Sequence, residues 1–162
     1  KLKNYRLLGN DGIIEYPEYG FKELDIVCEK IKKLNGGALF MDYGYKVKKN
    51  IDTLQSIMKH RFNEINKNIG NADITSLVNF TLYKEYFNSN NLFVENIISQ
   101  SEFLQKMGII ERAKIVSNKM NSLNKSNLNL RLQRLINPKM MGESFKVIFT
   151  KNKKCSFSLA FE

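Results

Sequence analysis

The chain reads as an α/β fold, and three features of its 162 residues predict it. Residues 21–41 pass from helical periodicity through a glycine turn into an apolar run, which is half of an α/β unit. Short β-branched runs then alternate with segments of 3.6-residue periodicity. Finally, apolar side chains alternate strictly near the C-terminus, at Phe145, Val147 and Phe149.

Taken in order, residues 1–12 show no clear period, and residues 13–16 fit a short strand ending at Pro17. From Phe21, the apolar positions Leu24, Val27, Cys28, Ile31 and Leu34 share one helix face, with charged residues between them. Asn35, Gly36 and Gly37 stop that helix, because Asn and Gly tolerate the left-handed geometry of a helix end. Residues 38–41 follow as a buried strand, with Asp42, Tyr43 and Gly44 just beyond its C-terminal end, the edge where open α/β sheets bind ligands. Asp52 or Thr53 is expected to cap a short helix carrying Leu54, Ile57 and Met58, and residues 60–71 read as a polar loop. Asp73 is expected to cap a second helix bearing Ile74, Leu77, Val78, Leu82 and Tyr86, broken at residues 88–91. Residues 92–98 read as a strand. Ser99 and Glu102 then have capping-box spacing for a helix with Phe103, Leu104 and Met107, ended by Gly108. Residues 110–135 predict a long helical region interrupted in the Asn- and Ser-rich patch 121–129, where side chains compete for backbone hydrogen bonds. Pro138 closes it. Phe145, Val147 and Phe149 predict a strand, and Cys155, Phe157, Leu159 and Phe161 the second arm of a terminal hairpin.

With 43% hydrophobic residues the chain can bury one real core, so one domain, or part of one, over residues 1–162 is expected. Neither a bilayer-spanning apolar run nor a signal-peptide core is visible, and a soluble intracellular protein is expected. Cys28 and Cys155 belong to no C-x-x-C pair and read as reduced thiols. The net charge of +10 raises the question of nucleic acid. The lysines are nonetheless dispersed, and the clusters at Lys46, Lys48 and Lys49 and at Lys151, Lys153 and Lys154 lack interleaved aromatics for base stacking. A solvated surface is the better reading.

Reaction chemistry is not legible from motifs. A Ser-His-Asp site needs a histidine, and the only one is His60, with no G-x-S-x-G elbow. One histidine and scattered carboxylates make no metal-ligand spacing, and neither G-x-x-x-x-G-K nor G-x-G-x-x-G occurs.

Four segments, in order, carry a resemblance. They are Gly36-Gly37-Ala38-Leu39-Phe40-Met41-Asp42-Tyr43-Gly44; His60-Arg61 followed by Gly70, Asp73, Ile74, Thr75, Val78 and Phe80; Ser99-Gln100 with Phe103-Leu104 and Gly108-Ile109; and Met141-Gly142 with Phe145-Lys146-Val147. Together they resemble the MidA-like (mitochondrial complex-I-assembly) family of class I S-adenosylmethionine-dependent methyltransferases, over residues 15–148. Departures are Ile69 for the family's usual Pro, Asn79 for Asp, which weakens any acidic role on that helix, and Ser99 for Thr.

The resemblance implies the C-terminal part of a Rossmann-like methyltransferase sheet, its fifth to seventh strands with flanking helices. It further implies S-adenosylmethionine as cofactor, with the main binding motif outside this chain, and an activity like that of protein-arginine methyltransferases involved in respiratory NADH dehydrogenase assembly. A protein substrate and a complementing N-terminal methyltransferase half are the partners expected, with no membrane and no nucleic acid. The location would be cytoplasmic in a bacterium and the mitochondrial matrix in a eukaryote. A fifth strand without its neighbour should leave an open edge and uncovered apolar side chains on both faces.

The candidate site residues are Asp42, Tyr43, Gly44, His60, Arg61, Asp73 and Thr75. Asp42 either faces acceptor or donor or caps the next turn; Tyr43 either packs or orients an acceptor nitrogen. His60 and Arg61 either bind an acidic part of a substrate or sit in a solvated loop, and Asp73 and Thr75 read best as helix-start residues. Gln100 reads as a strand-to-helix linker, and Gly142 and Lys146 as structural. Two other classes fit the same residues: a non-enzymatic remnant serving as a protein-interaction module, and a basic nucleic-acid-binding domain.

Overall fold

A computed structural model describes Tyr5 and residues 11–47, 51–158, 160 and 161. In chain order the elements are α1 (Glu18–Leu34), β1 (Gly37–Tyr45), β2 (Gln55–Met58), β3 (Arg61–Asn63), β4 (Asp73–Thr75), β5 (Val78–Asn79), α2 (Phe80–Ser89), β6 (Phe93–Val94), β7 (Ile98–Ser99), α3 (Gln100–Lys106), α4 (Ile109–Ser117), α5 (Ser122–Ile136), a π-type turn (Pro138–Gly142) and β8 (Phe145–Lys151).

The helix–turn–strand unit forms as its periodicity predicts. Phe21, Cys28 and Ile31 are buried on the inner face of α1, with Glu18 in its first turn and Lys32 and Lys33 in its last, matching the helix dipole. Asn35 takes the left-handed conformation at φ 50°, and the Asn35 and Gly36 N–H groups both donate to the Ile31 carbonyl. β1 runs on through Tyr45, so Asp42, Tyr43 and Gly44 lie inside the strand rather than after it. The reason is pairing: β1 bonds antiparallel to β8 from Gly37↔Lys151 to Tyr43↔Phe145, and parallel to β5 at Gly44↔Val78 and Tyr45↔Asn79.

The main sheet has the order β5-β1-β8-β6, with β7 also on β8. The last strand is thus inserted antiparallel between β1 and the β6 and β7 pieces, which accounts for the fifth, sixth and seventh strands expected of the fold. β8 is buried from Lys146 to Lys151 and divides two apolar clusters. Ile148 joins Phe21, Cys28, Phe80, Leu82, Tyr86 and Phe87 under α1 and α2, where the Phe21 and Tyr86 rings stack at 4.2 Å. Val147 points the other way, to Ile98 and Phe103.

β1 is covered on one face only. Ala38 and Phe40 pack on the α1–α2 cluster, whereas Leu39, Met41 and Tyr43, alternating on the opposite face, remain exposed. The expectation of uncovered side chains on both faces is therefore corrected to one. Among the described residues, only Gly44 and Tyr45 of β1 find a partner strand on the side away from β8.

Elsewhere local periodicity misled. Residues 13–16 form no strand; they run irregularly into Pro17, and the Tyr16 ring packs edge-on to Phe21 at 5.4 Å instead. The helix expected at Leu54, Ile57 and Met58 is strand β2, because Asp52 Oδ1 accepts the Leu54 N–H in a local turn and residues 55–58 pair with β3 and β4. The loop expected over residues 60–71 contains β3, joined to β2 by a two-residue turn in which Lys59 and His60 both have positive φ, 49° and 63°. Asp73 and Thr75 do not start a helix: they belong to β4, and α2 begins seven residues later, where Asn79 Oδ1 accepts the Leu82 N–H at 3.1 Å.

The strand expected over residues 92–98 splits into β6 and β7: residues 93–94 and 98–99 pair with β8, and between them the Glu95 N–H donates to the Phe149 carbonyl at 3.0 Å before the ladder is interrupted. Ser99 caps α3 as its spacing predicts, accepting the Glu102 N–H at 3.2 Å, and Gly108 ends that helix at φ 78°. The break in the following helical region falls at residues 118–121, and Asn121 caps α5 so that the Asn- and Ser-rich patch lies within a helix. Residues 155–158 form no hairpin arm, because Asn152 Oδ1 turns the chain by accepting the Lys154 N–H and the Lys151 ammonium draws the Phe157 carbonyl inward at 2.7 Å. Leu159, the third position of that expected arm, lies outside the described residues.

Candidate functional site

β2, β3 and β4 make a small antiparallel sheet of order β3-β2-β4, set beside the C-terminal part of β1. It is fastened to the body through Thr53, whose N–H and hydroxyl both donate to the Glu15 carboxylate, at 2.8 and 2.7 Å. The same hydroxyl oxygen accepts the Leu77 N–H at 2.8 Å. Glu15, Thr53 and Leu77 are thereby joined across long sequence separations. Tyr45 lies near this tie: burial first, then the Glu15 charge, push its phenol above the ordinary range, and a hydrogen bond with Asn79 draws it partly back.

Between the small sheet and β1 is a cleft of about 430 Å³ lined by Asp42, Tyr43, Gln55, Thr75, Ser76 and Leu77. Asp42 Oδ1 accepts the Tyr43 N–H at 2.7 Å, which fixes the carboxylate against its own strand while its side chain stays exposed. A second cleft, of about 510 Å³, runs beside Leu39–Asp42 of β1 against α1 and shares Asp42. There burial, and secondarily the Asp42 charge, raise the Tyr83 phenol. One carboxylate therefore stands at the junction of two openings.

Of the candidates read from the sequence, the cleft brings together Asp42, Tyr43 and Thr75. Tyr43 packs its ring on Phe145, its cross-strand neighbour, at 4.0 Å, and remains 46% exposed. Gly44 is a close-approach position: a Cβ there would meet the Val78 carbonyl oxygen at 2.3 Å and the Phe80 ring at 2.6 Å. His60 is a turn residue and Arg61 opens β3; both are exposed and neither lines the Asp42 cleft. Asp73 is exposed on β4, two residues from Thr75. Gln100 and Ser101 are buried in the first turn of α3, and their side chains donate to the Leu135 and Ile136 carbonyls, satisfying the C-terminal end of α5.

Sequence reading missed Glu15, Thr53, Gln55 and Ser76. Isolated polar residues in short segments have no period, and only the fold brings them together.

Residues 2–98 match the family profile described as "Putative S-adenosyl-L-methionine-dependent methyltransferase", and the chain belongs to that family. The chain is 31% identical to the human protein arginine methyltransferase NDUFAF7, mitochondrial, over 75% of this chain and 27% of the relative. Its zebrafish (Danio rerio) counterpart is 29% identical over 74% of this chain and 28% of the relative. The chain thus spans under a third of the curated relatives it matches. A superfamily crystal structure from Burkholderia thailandensis superposes over 96% of this chain and 43% of its own, with TM-score 0.77 and 24% identity, and supports the fold. A second member from the same organism, bound to S-adenosyl-homocysteine, superposes over 84% of this chain and 38% of its own, with TM-score 0.63 and 25% identity.

Among the described residues, the features that bear on S-adenosylmethionine are the glycines and the cleft along β1. At Gly37, Gly44 and Gly142 the space a side chain would take is filled by Phe149, by Val78 and Phe80, and by Ile136, whereas Gly36, at the turn before β1, and Gly70 face open space. The cleft along β1 offers one wall, mostly apolar, with Glu23 and Asp42 as its carboxylates. Among the described residues no helix is long and apolar enough to cross a membrane, and no cluster of three metal-ligating side chains occurs.

Proposed function

We propose that this chain is the acceptor-holding part of a protein-arginine methyltransferase that serves respiratory NADH dehydrogenase assembly, with S-adenosylmethionine held largely by polypeptide beyond these residues. The observation that supports this most directly is Asp42. A backbone-anchored carboxylate in an open cleft with Thr75 and Gln55 suits a guanidinium, which donates several N–H groups in a plane to carboxylate and neutral oxygens. Methyl transfer asks for the acceptor nitrogen to be held in line with the donor, so positioning dominates the chain's contribution. A complementing methyltransferase half would pair along the free side of β1 and cover Leu39, Met41 and Tyr43. Its location would be the mitochondrial matrix in a eukaryote and the cytoplasm in a bacterium.

Binding of a labelled arginine-containing peptide to the chain tests the reading. Asp42→Asn should weaken it by tenfold or more, since a hydrogen bond to a charged group contributes about 1.5–3 kcal/mol; equal affinity for both proteins would refute it.

The exposed Leu39, Met41 and Tyr43 stripe also supports a second reading, a non-enzymatic interaction module. Capture of a polypeptide that restores arginine methylation favours the first, and capture without activity the second. A nucleic-acid role draws less support, because Lys151 of the C-terminal basic cluster is buried and paired with Glu95 at 2.9 Å.

A further inference from the structure

Strand register divides the side chains of the small sheet between two faces. Ser56 and Asn63 share one, where the Asn63 amide donates to the buried Ser56 hydroxyl oxygen at 3.1 Å. Arg61 is paired with Met58 and belongs to this same face. On the other face lie Gln55 and Ile57 of β2, Phe62 of β3, and Asp73 and Thr75 of β4. Gln55 and Thr75 line the Asp42 cleft, so this second face is the cleft's wall continued outward.

Two properties of that wall call for an occupant. Phe62 is 83% exposed, beside the half-buried Ile57, on a surface that opens directly into the cleft. Of the five residues on the face none is basic and one is acidic, and Asp42 adds a second carboxylate at its inner end, in a chain of net charge +10. Charge complementarity therefore selects a basic partner with an apolar neighbour, against the sign of the molecule as a whole.

We propose that this face docks the protein substrate: with the acceptor arginine in the Asp42 cleft, an apolar side chain two or three residues away rests on Ile57 and Phe62, and Asp73 favours a further basic residue. The spacing follows from strand geometry. Two residues along β2 and one strand sideways separate Gln55 from Phe62 by about 8 Å, the reach of two to three extended residues. This docking face rests on the proposed acceptor role of the cleft and adds a sequence preference to it.

Fluorescence anisotropy of fluorescein-labelled Gly/Ser decapeptides with the 162-residue chain tests it. One peptide carries a single central arginine, a second adds leucine three residues away, and a third replaces the arginine of the second by glutamate. The leucine peptide should bind about tenfold more tightly than the arginine-only peptide. Phe62→Ser should cut that ratio below about twofold, and Phe62→Leu should preserve it, with circular dichroism showing that each variant, changed at an 83% exposed position, keeps the fold. An unchanged ratio in Phe62→Ser overturns the proposal. So does a Phe62-dependent dimer in sedimentation velocity that binds no peptide, which would make the face an interface between copies. If Asp42→Asn has no effect while Phe62→Ser abolishes the leucine preference, the docking face stands and the acceptor reading falls. If Asp42 matters and Phe62 does not, the docking face alone is lost.

Discussion

At Gly44 the absence of a side chain is what lets β1 and β5 meet. A Cβ at 2.3 Å from the Val78 oxygen cannot be relieved by a rotamer change, because the obstacle is backbone. Gly44→Ala should cost about 2–3 kcal/mol, in the range of overpacked cores, and lower the midpoint of thermal unfolding by roughly 5–10 °C. An unchanged melting curve would show that β1 and β5 do not touch there. Tyr86 makes a different kind of contact. Its hydroxyl donates to Asp25 at 2.6 Å and lies 3.0 Å from the Phe21 carbonyl, and burial followed by the Asp25 hydrogen bond raises its pKa far above the ordinary 10.0. Because the folded protein holds this proton more tightly than the unfolded chain, the stabilisation is complete below pH 10.0 and declines as pH rises beyond it. Tyr86→Phe should be less stable at neutral pH by about 1–3 kcal/mol and should show a shallower alkaline decline. Denaturant titrations at several pH values above 9 read both effects.

At the scale of elements, caps and stops were legible and short strands were not. Asn35, Ser99 and Gly108 act where local chemistry alone decides, so their roles can be read from the residues themselves. Ser99→Ala should accordingly remove the α3 cap and about 1 kcal/mol, measured by chemical denaturation, with no loss of helical circular dichroism beyond that one element. By contrast, Leu54, Ile57 and Met58, and then Ile74, Leu77 and Val78, have helical i, i+3, i+4 spacing yet fall in or beside strands. Runs this short satisfy both periods, and hydrogen bonds to partners far along the chain settle the choice. The same cause hid the true cap of α2: Asp73 has the right chemistry for a cap, but pairing with β2 holds it extended and Asn79 takes the role.

At the scale of the whole molecule, β1 lies at a boundary of the described sheet. Among the described residues it is paired to β8 from Gly37 to Tyr43 and to β5 at Gly44 and Tyr45, and it carries Leu39, Met41 and Tyr43 exposed on one face. A sheet edge of this kind recruits another strand. Calorimetric titration of the chain alone with S-adenosylmethionine should therefore show no stoichiometric micromolar site. A polypeptide supplying the donor-binding part should create one and protect the β1 amides from hydrogen exchange. Micromolar binding by the chain alone would mean that its own clefts suffice.

By itself the sequence determined the α/β class, the first helix and its stop, the terminal strand and the family resemblance, because these rest on a helical period sustained over several turns, on residue chemistry at a single position, on strict alternation at Phe145, Val147 and Phe149, and on four segments in a fixed order. Tertiary structure alone decided that β8 enters between β1 and β6, that strands within residues 55–75 form a small sheet, and that Asp42, Gln55 and Thr75 share a cleft. Those outcomes depend on hydrogen bonds between residues such as Glu15 and Thr53, 38 positions apart, and no local pattern encodes such a partner.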